Sequence, residues 1–426
     1  MNFIFISPAF PQNYYNFCDR LKRNGFNVLG IGDTPYFELE NEVKESLTEY
    51  YRVNSLENYD EVYRAVAFFA FKYGRIDYLE SNNEYWLRQD ARLRTDFNIT
   101  GAKTNDVISF TSKSDMKDFY IKAGVPVARY KFLTTLEEDL KFINEEVGYP
   151  VVVKPNVGVG AAATYKIKNQ EDLENFYKRG FQVPYIMEEY ITGDITSFDG
   201  ICDSNSNVVF CDNEVFPPSI MDIVNENLEV SYYVNKIVPD DLREIGQKVL
   251  KAFNIKSRYF HLEFFRLTKD KKGLGKSGDI VALEVNMRPP GGFTPDMINF
   301  GQSVDTYQIY ADVMTYDKIV NVNLDYPKYY CIYYGRRDRL EYQYSYEEIH
   351  NIYPYIQMHG RMSDVLSGAM GNEFFIARFL HKADMEAFKE MVEKKKEPEK
   401  KKKTSTKKVS TNTQTKKTTK TTKKSK

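Results

Sequence analysis

Apolar and polar residues follow two rhythms along this chain. Short apolar runs bounded by Gly, Pro or Asn predict buried strands, and apolar residues three and four apart predict helices. Phe3-Ile4-Phe5-Ile6 is the first strand, ended by the turn pair Ser7-Pro8. Residues 16–24 predict a helix stopped by Gly25, and Phe26-Asn27-Val28-Leu29-Gly30-Ile31-Gly32 the next strand. Strand, helix and strand within about 30 residues make a βαβ unit of a parallel sheet. Residues 57–73 predict a long helix ended by Gly74, and Ile76-Asp77-Tyr78-Leu79-Glu80 a further strand. Residues 1–105 therefore read as a small Rossmann-like α/β domain. No GxGxxG follows its first strand, which argues against dinucleotide binding there.

The rhythm then changes to an α+β pattern. Ser112-Lys113-Ser114-Asp115 opens a helix, capped by Ser112 or Ser114, that runs to Ala123 and stops at Gly124. Val125-Pro126 leads into an extended segment. Residues 136–147 predict a helix, Val151-Val152-Val153-Lys154 a strand, residues 155–164 a loop, and residues 171–179 a helix. Tyr185-Ile186-Met187-Glu188-Glu189-Tyr190-Ile191 is a strand running into Gly193. Strands are also expected within 198–211, and an amphipathic helix over 240–253. Tyr259-Phe260-His261-Leu262-Glu263-Phe264-Phe265 should pair with residues 280–286 through the polar hairpin 269–279. A helix over 305–314 and strands over 329–334 and 374–379 complete the ordered pattern. From about Met391 the chain becomes Lys/Thr/Ser low complexity, which cannot bury a core and is expected to be disordered.

Composition adds limits. At 426 residues, with 42% hydrophobic and 28% charged residues, the chain fits a globular protein of two or three domains. No apolar run reaches the roughly 20 residues of a membrane span, and MNFIFISPAF lacks the charged start and apolar stretch of a signal peptide. Cys18, Cys202, Cys211 and Cys331 are scattered, so neither a disulfide framework nor, with only four His, a zinc site is expected. The expected compartment is the cytoplasm. The net charge of −1 hides a division: residues 394–426 hold 15 Lys and 2 Glu, a net of +13, which leaves −14 on residues 1–393. The basic tail is expected to be a solvated segment without a dedicated partner, with weak attraction of polyanions as the alternative, whereas the acidic body argues against a nucleic-acid surface.

The candidate chemistry centres on IVALEVNMRPPGGF, residues 280–293. Alternation on a strand puts Glu284, Asn286 and Arg288 on one face. Two are oxygen donors for a hard cation and the third grips phosphate or carboxylate. Glu263, on the expected partner strand, would lie close to Glu284, where two carboxylates repel unless a cation sits between them. Lys154 ends an apolar strand and precedes a loop with Gly158, Gly160 and three Ala, bare enough for backbone N–H groups to approach an anion. Glu188 and Glu189 are adjacent carboxylates in an apolar strand.

Together these stretches resemble the ATP-grasp superfamily. Ser112-Lys113 with Gly124-Val125-Pro126 is similar to its entry helix. Val152-Val153-Lys154-Pro155 with Gly158 and Gly160 looks like its phosphate loop. Met187-Glu188-Glu189-Tyr190-Ile191 with Gly193 resembles its adenine hinge. His261-Leu262-Glu263-Phe264 and Leu283-Glu284-Val285-Asn286-Met287-Arg288-Pro289 look like its two metal-ligand strands. The likeness spans residues 1–315 and is strongest to stand-alone ligases and to the grasp units of biotin carboxylase and carbamoyl phosphate synthetase large chains.

It implies a pre-grasp domain at 1–105, a small lobe at 106–192, a large lobe with a C-terminal extension at 193–390 and a tail at 391–426. It also implies ATP and Mg²⁺, with Mn²⁺ as an alternative ion. Lys113 and Lys154 would contact phosphates. Glu188 and Glu189, with the backbone at Ile191, would meet adenine. Glu263, Glu284 and Asn286 would hold the metal, and Arg288 with Lys154 would stabilise the transferred phosphoryl group. Ile195 stands where the family often has a Glu near the ribose, with Asp194 or Asp199 as acidic substitutes. The implied activity joins a carboxylate to an amine through an acyl phosphate, releasing ADP. A grasp-fold kinase and a non-catalytic ATP-binding protein are the alternatives. Small-molecule acids and amines are the expected partners, with homodimerisation open. Specificity is expected from residues 7–13 and the loop after Arg288.

Overall fold

A computed structural model describes residues 1–158, 163–216 and 228–396. Gly160 and most of the basic tail lie outside the described residues. The chain opens with a four-stranded parallel sheet, in the order Glu49–Arg52, Asn27–Gly32, Asn2–Ile6 and Tyr78–Glu80. All five residues of Asn2–Ile6 are buried, as a parallel strand covered on both faces requires. One face packs against the helix Tyr59–Tyr73 through Ile4, Ile6, Val62, Val66 and Phe69. The other face continues into the rest of the molecule. Phe17, on the helix Tyr15–Arg23, lies 4.7 Å from the Tyr307 ring and 5.1 Å from that of Tyr310. Here the 15% aromatic content finds a use: Phe and Tyr rings join the first domain to the large lobe in one core.

The small lobe is an antiparallel sheet in the order Tyr130–Phe132, Tyr185–Glu189, Val151–Pro155 and Tyr165–Ile167. The helices Leu136–Phe142 and Gln170–Arg179 cover it. The large lobe is a nine-stranded antiparallel sheet beginning with Ile280–Asn286, Arg258–Leu267 and Gly193–Cys202. The expected hairpin is present: Glu263 sits opposite Glu284 and His261 opposite Asn286.

Two boundaries differ from expectation. The helix Lys113–Lys122, assigned by sequence to the small lobe, buries Met116 and Tyr120 against Phe253 and Phe264 of the large lobe. Ala282 N–H also donates to Pro126 O at 2.8 Å, and Val127 bridges to Ala282, so this short segment joins the edge of the large sheet. Regular structure continues past Met391, where the tail is expected to begin. The helix Lys382–Glu393 buries Met385, Phe388 and Val392, whose i, i+3, i+7 spacing the Lys/Glu-rich surroundings obscure. Gln343 N–H then donates to Lys394 O at 2.8 Å, and Lys396 N–H to Glu341 O at 3.0 Å. Among the described residues no helix is long and apolar enough to cross a membrane, and the four cysteines are unbridged.

Candidate active site

The site lies where the small-lobe sheet, the helix Lys113–Lys122 and the hairpin of the large sheet meet. Ser112 caps that helix, accepting from Asp115 N–H at 3.5 Å. Asn156 fastens the loop after the strand Val151–Pro155 to the same end. Its carbonyl accepts from Lys113 N–H at 2.8 Å and its side-chain oxygen from Ser114 N–H at 2.9 Å. This places two lysines in one region. Lys113 Nζ donates to Gly158 O at 3.1 Å and lies 3.3 Å from Glu284 Oε1. Lys154 Nζ lies 3.0 Å from Glu188 Oε2.

Glu188 faces Val152 across the small-lobe sheet, which puts it on the same face as Lys154. A second buried lysine, Lys117, reaches its other oxygen at 3.1 Å. Burial would raise the Glu188 carboxyl, but Lys117 and Lys154 overcome it and hold it at about 2. Burial lowers the Lys117 pKa in turn, against the pull of Glu188. Glu189 points the other way. Burial there is outweighed by Arg129, which grips it with Nη2 at 2.7 Å and Nε at 3.1 Å, and the carboxyl is lowered. The structure therefore separates Glu189 from the site, as strand alternation requires. Ile191 is buried with Ala128, Leu267 and Val281 at the apolar hinge between the lobes.

Asp199 is a second departure. It is fully buried, bonded to Ser197 Oγ and 2.5 Å from His261 Nδ1, so it is not available to a ribose; Asp194 is exposed. The other ring nitrogen of His261 lies 2.9 Å from Glu263 Oε1. Burial alone would discharge the imidazole, but the two flanking carboxylates push it up to about 10. The ring thus stands between Asp199 and Glu263 and holds Glu263 in place. Nearby Glu214 is buried with both oxygens lacking a hydrogen-bond partner, and burial raises its pKa far above the usual range.

On the hairpin, Glu263 and Glu284 are cross-strand partners, and the Asn286 amide faces Glu84, whose charge favours the orientation with the amide nitrogen 3.2 Å from Oε1. Among the described residues no three His, Cys, Asp or Glu side chains form a metal cage. Two carboxylates and one amide oxygen fit instead a hard cation that keeps further positions for phosphate and water. Arg288 is half-buried, and its Nη2 lies 3.2 Å from Glu84 Oε2. Burial pushes the Glu84 carboxyl up to about 7 despite Arg288. A cavity of about 710 Å³ lined by Phe210, Cys211 and Arg243 contains none of these residues.

Sequence reasoning missed Lys117, Asn156, His261, Glu214 and Glu84 as members of the site. Glu84 had a signal: it follows the strand Tyr78–Glu80 at the carboxyl end of a parallel sheet, where open α/β sheets present ligand-binding residues. The expected edge at residues 7–13 does meet the loop after Arg288, through Asn13 Nδ2 donating to Gly292 O at 3.3 Å.

Residues 122–256 match the ATP-grasp domain family. The chain carries an ATP-grasp domain. Over 261 residues it is 23% identical to an L-arginine-specific L-amino acid ligase of Bacillus subtilis, covering 59% of this chain and 61% of that protein. It is 25% identical over 283 residues to an alanine–anticapsin ligase of Bacillus subtilis, covering 61% of this chain and 57% of the relative. The match thus spans about three fifths of the length of each relative. An L-amino acid ligase structure from Bacillus licheniformis superposes with a TM-score of 0.66 at 14% identity, covering 91% of this chain and 95% of that one. The ATP-grasp fold is therefore common to both.

Proposed function

We propose that this protein is an ATP- and Mg²⁺-dependent ligase that joins a carboxylate to an amine through an acyl phosphate. The observation that carries this reading is the register of the hairpin. It places Glu263 opposite Glu284, with Asn286 on the same strand and Lys113 3.3 Å from Glu284. Mg²⁺ held by Glu263, Glu284 and Asn286 would neutralise phosphate charge, and Mn²⁺ suits the same oxygen donors. The ligases among the relatives support the reaction class.

In this reading Lys113 and Lys154 bind the phosphates, and Glu188 keeps Lys154 oriented while meeting the nucleotide base. A substrate carboxylate oxygen attacks the γ-phosphorus, the bond from that phosphorus to the bridging oxygen breaks, and ADP leaves. Arg288 holds the charge that develops on the transferred group. The amine nitrogen then attacks the acyl carbon, the carbon–oxygen bond to phosphate breaks, phosphate leaves and nitrogen sheds a proton to solvent. ADP release assayed over pooled carboxylic acids and amines tests the reading. Turnover that requires both an acid and an amine supports it, and turnover with a single acceptor would replace it with a kinase.

A further inference from the structure

The helix Tyr59–Tyr73, YDEVYRAVAFFAFKY, is apolar on two opposite sides. Val62, Ala65, Val66 and Phe69 bury one face in the core of the first domain. The other face stands open: Phe71 is 93% exposed and Phe68 39%. A surface helix carries polar residues on that side, and a helix that is apolar all round is normally buried all round. The open face is also ordered. Asp60, Arg64, Ala67 and Phe71 recur at steps of four, three and four residues, the spacing of a single seam along a helix, and Phe68 and Arg75 flank that seam. Ala67 is half-buried and the other five are exposed. Among the described residues Asp60, Arg64 and Arg75 form no ion pair, whereas the neighbouring Lys72 is held by Glu49 at 2.7 Å.

This seam is complementary to itself. A two-fold axis between Ala67 and Phe68 sets a second copy of the helix antiparallel and pairs each residue with the one equally far beyond the midpoint. Arg64 then meets the second copy's Phe71, a cation against an aromatic ring. Asp60 meets the second copy's Arg75, and the small Ala67 at the centre lets the two helices approach. One operation produces both pairings, and each occurs twice. A parallel arrangement would instead set Asp60 on Asp60 and Arg64 on Arg64. We propose that two copies of the chain associate through this face, helix against helix about a two-fold axis. The charge order selects a second copy over any other occupant, because the two ends of one stripe match each other. The inference is independent of the ligase reading. A helix of 15 residues is about 22 Å long. The contact is therefore small beside that of a permanent dimer, and the association is weak, with a Kd of about 10–100 µM.

Sedimentation velocity of the full chain, from about 2 to 200 µM, brackets that Kd. Wild type should pass from monomer to dimer across the range. Phe71→Asp should weaken the association at least about tenfold, as the loss of a central aromatic anchor does. Asp60→Arg alone and Arg75→Asp alone should each stay monomeric, because like charges then face each other twice. Mixed in equal amounts, those two single variants should form a heterodimer within about threefold of the wild-type affinity, since every pairing is then between opposite charges. All three positions are exposed, so melting temperatures should stay within a few degrees of wild type. Three results would each overturn the inference. Wild type that remains monomeric throughout has no such contact. A dimer that Phe71→Asp leaves intact uses another face. A mixture of D60R and R75D that stays monomeric shows that the two ends of the helix do not meet.

Discussion

Glu80 offers a severe test of how the first domain is held to the active site. Its two oxygens bridge two buried guanidiniums: Oε1 lies 3.0 Å from Arg94 Nη1 and Oε2 lies 3.2 Å from Arg258 Nη2. The three side chains are 0%, 7% and 4% exposed, for Arg94, Glu80 and Arg258 respectively. Arg94 also donates to Leu79 O at 2.8 Å and Ala102 O at 2.7 Å, and Arg258 to Met287 O at 3.1 and 2.7 Å. Glu80→Gln keeps the shape and removes the one negative charge between two cations. Breaking a buried pair in this way costs about 3–5 kcal/mol, because the remaining charges stay desolvated. By contrast, Asp338→Asn breaks a pair with Arg361 whose side chains are 55% and 62% exposed, and should cost at most about 1 kcal/mol. Urea unfolding followed by circular dichroism measures both. ADP release should also fall in E80Q, since Met287 lies between Asn286 and Arg288. An E80Q loss no larger than that of D338N would refute the reasoning and show the triad to be solvated.

Four further outcomes are expected. Glu284→Ala should lower MgATP-dependent ADP release by at least about a hundredfold and leave the melting temperature within a few degrees; unchanged release would remove Glu284 from the metal set. Gly246→Ala places a Cβ 2.0 Å from the Phe198 ring, beside Asp199, and should destabilise by about 1–3 kcal/mol; a stabilised variant, as helix propensity alone predicts, would show that the ring can move. Glu188, held at about 2 against an ordinary 4.5, contributes stability that is present above pH 4.5 and lost as pH falls towards 2. The gap between wild type and Glu188→Gln should therefore shrink by roughly 3 kcal/mol over that range; a gap independent of pH would mean that the carboxylate is not paired. Truncation after residue 390 removes the buried Val392 and its carbonyl, which accepts from Arg336 Nε at 2.9 Å. It should cost about 2–3 kcal/mol relative to truncation after 396, and equal stability of the two chains would show that the end of the helix carries no load.

Much of this was legible in the chain because the signals were local. The alternation in Ile280–Asn286 fixes which side chains share a face, and a polar loop between two apolar runs predicts their pairing. Lys113 and Lys154 were legible for the same reason, each at the end of an element whose period is clear, whereas Lys117 sits inside its helix and was not. Elements with weak patterns escaped. Glu49–Arg52 is a half-buried edge strand of polar residues, and Lys382–Glu393 hides three core residues among charges. The adjacent glutamates show a finer limit. Sequence marks both as unusual, but the direction of the strand sends Glu188 to Lys154 and Glu189 to Arg129.

What sequence could not supply was the pairing of charge across elements. Lys113 meets Glu284 of the large sheet, Lys117 and Lys154 share Glu188 of the small lobe, and Arg288 meets Glu84 of the first domain. Each contact joins residues far apart in the chain, and no period within one element encodes it. Each also has the same physical cause: a cation placed to bind phosphate or carboxylate cannot be buried alone, so the fold brings it an anion. The distribution of those anions then has consequences. Those from the small lobe and the large sheet bear on lysines, which present compact point charges. The one from the first domain bears on Arg288, a planar donor suited to a carboxylate. A change in the first domain at Glu84 should therefore loosen Arg288 more than it disturbs either lysine.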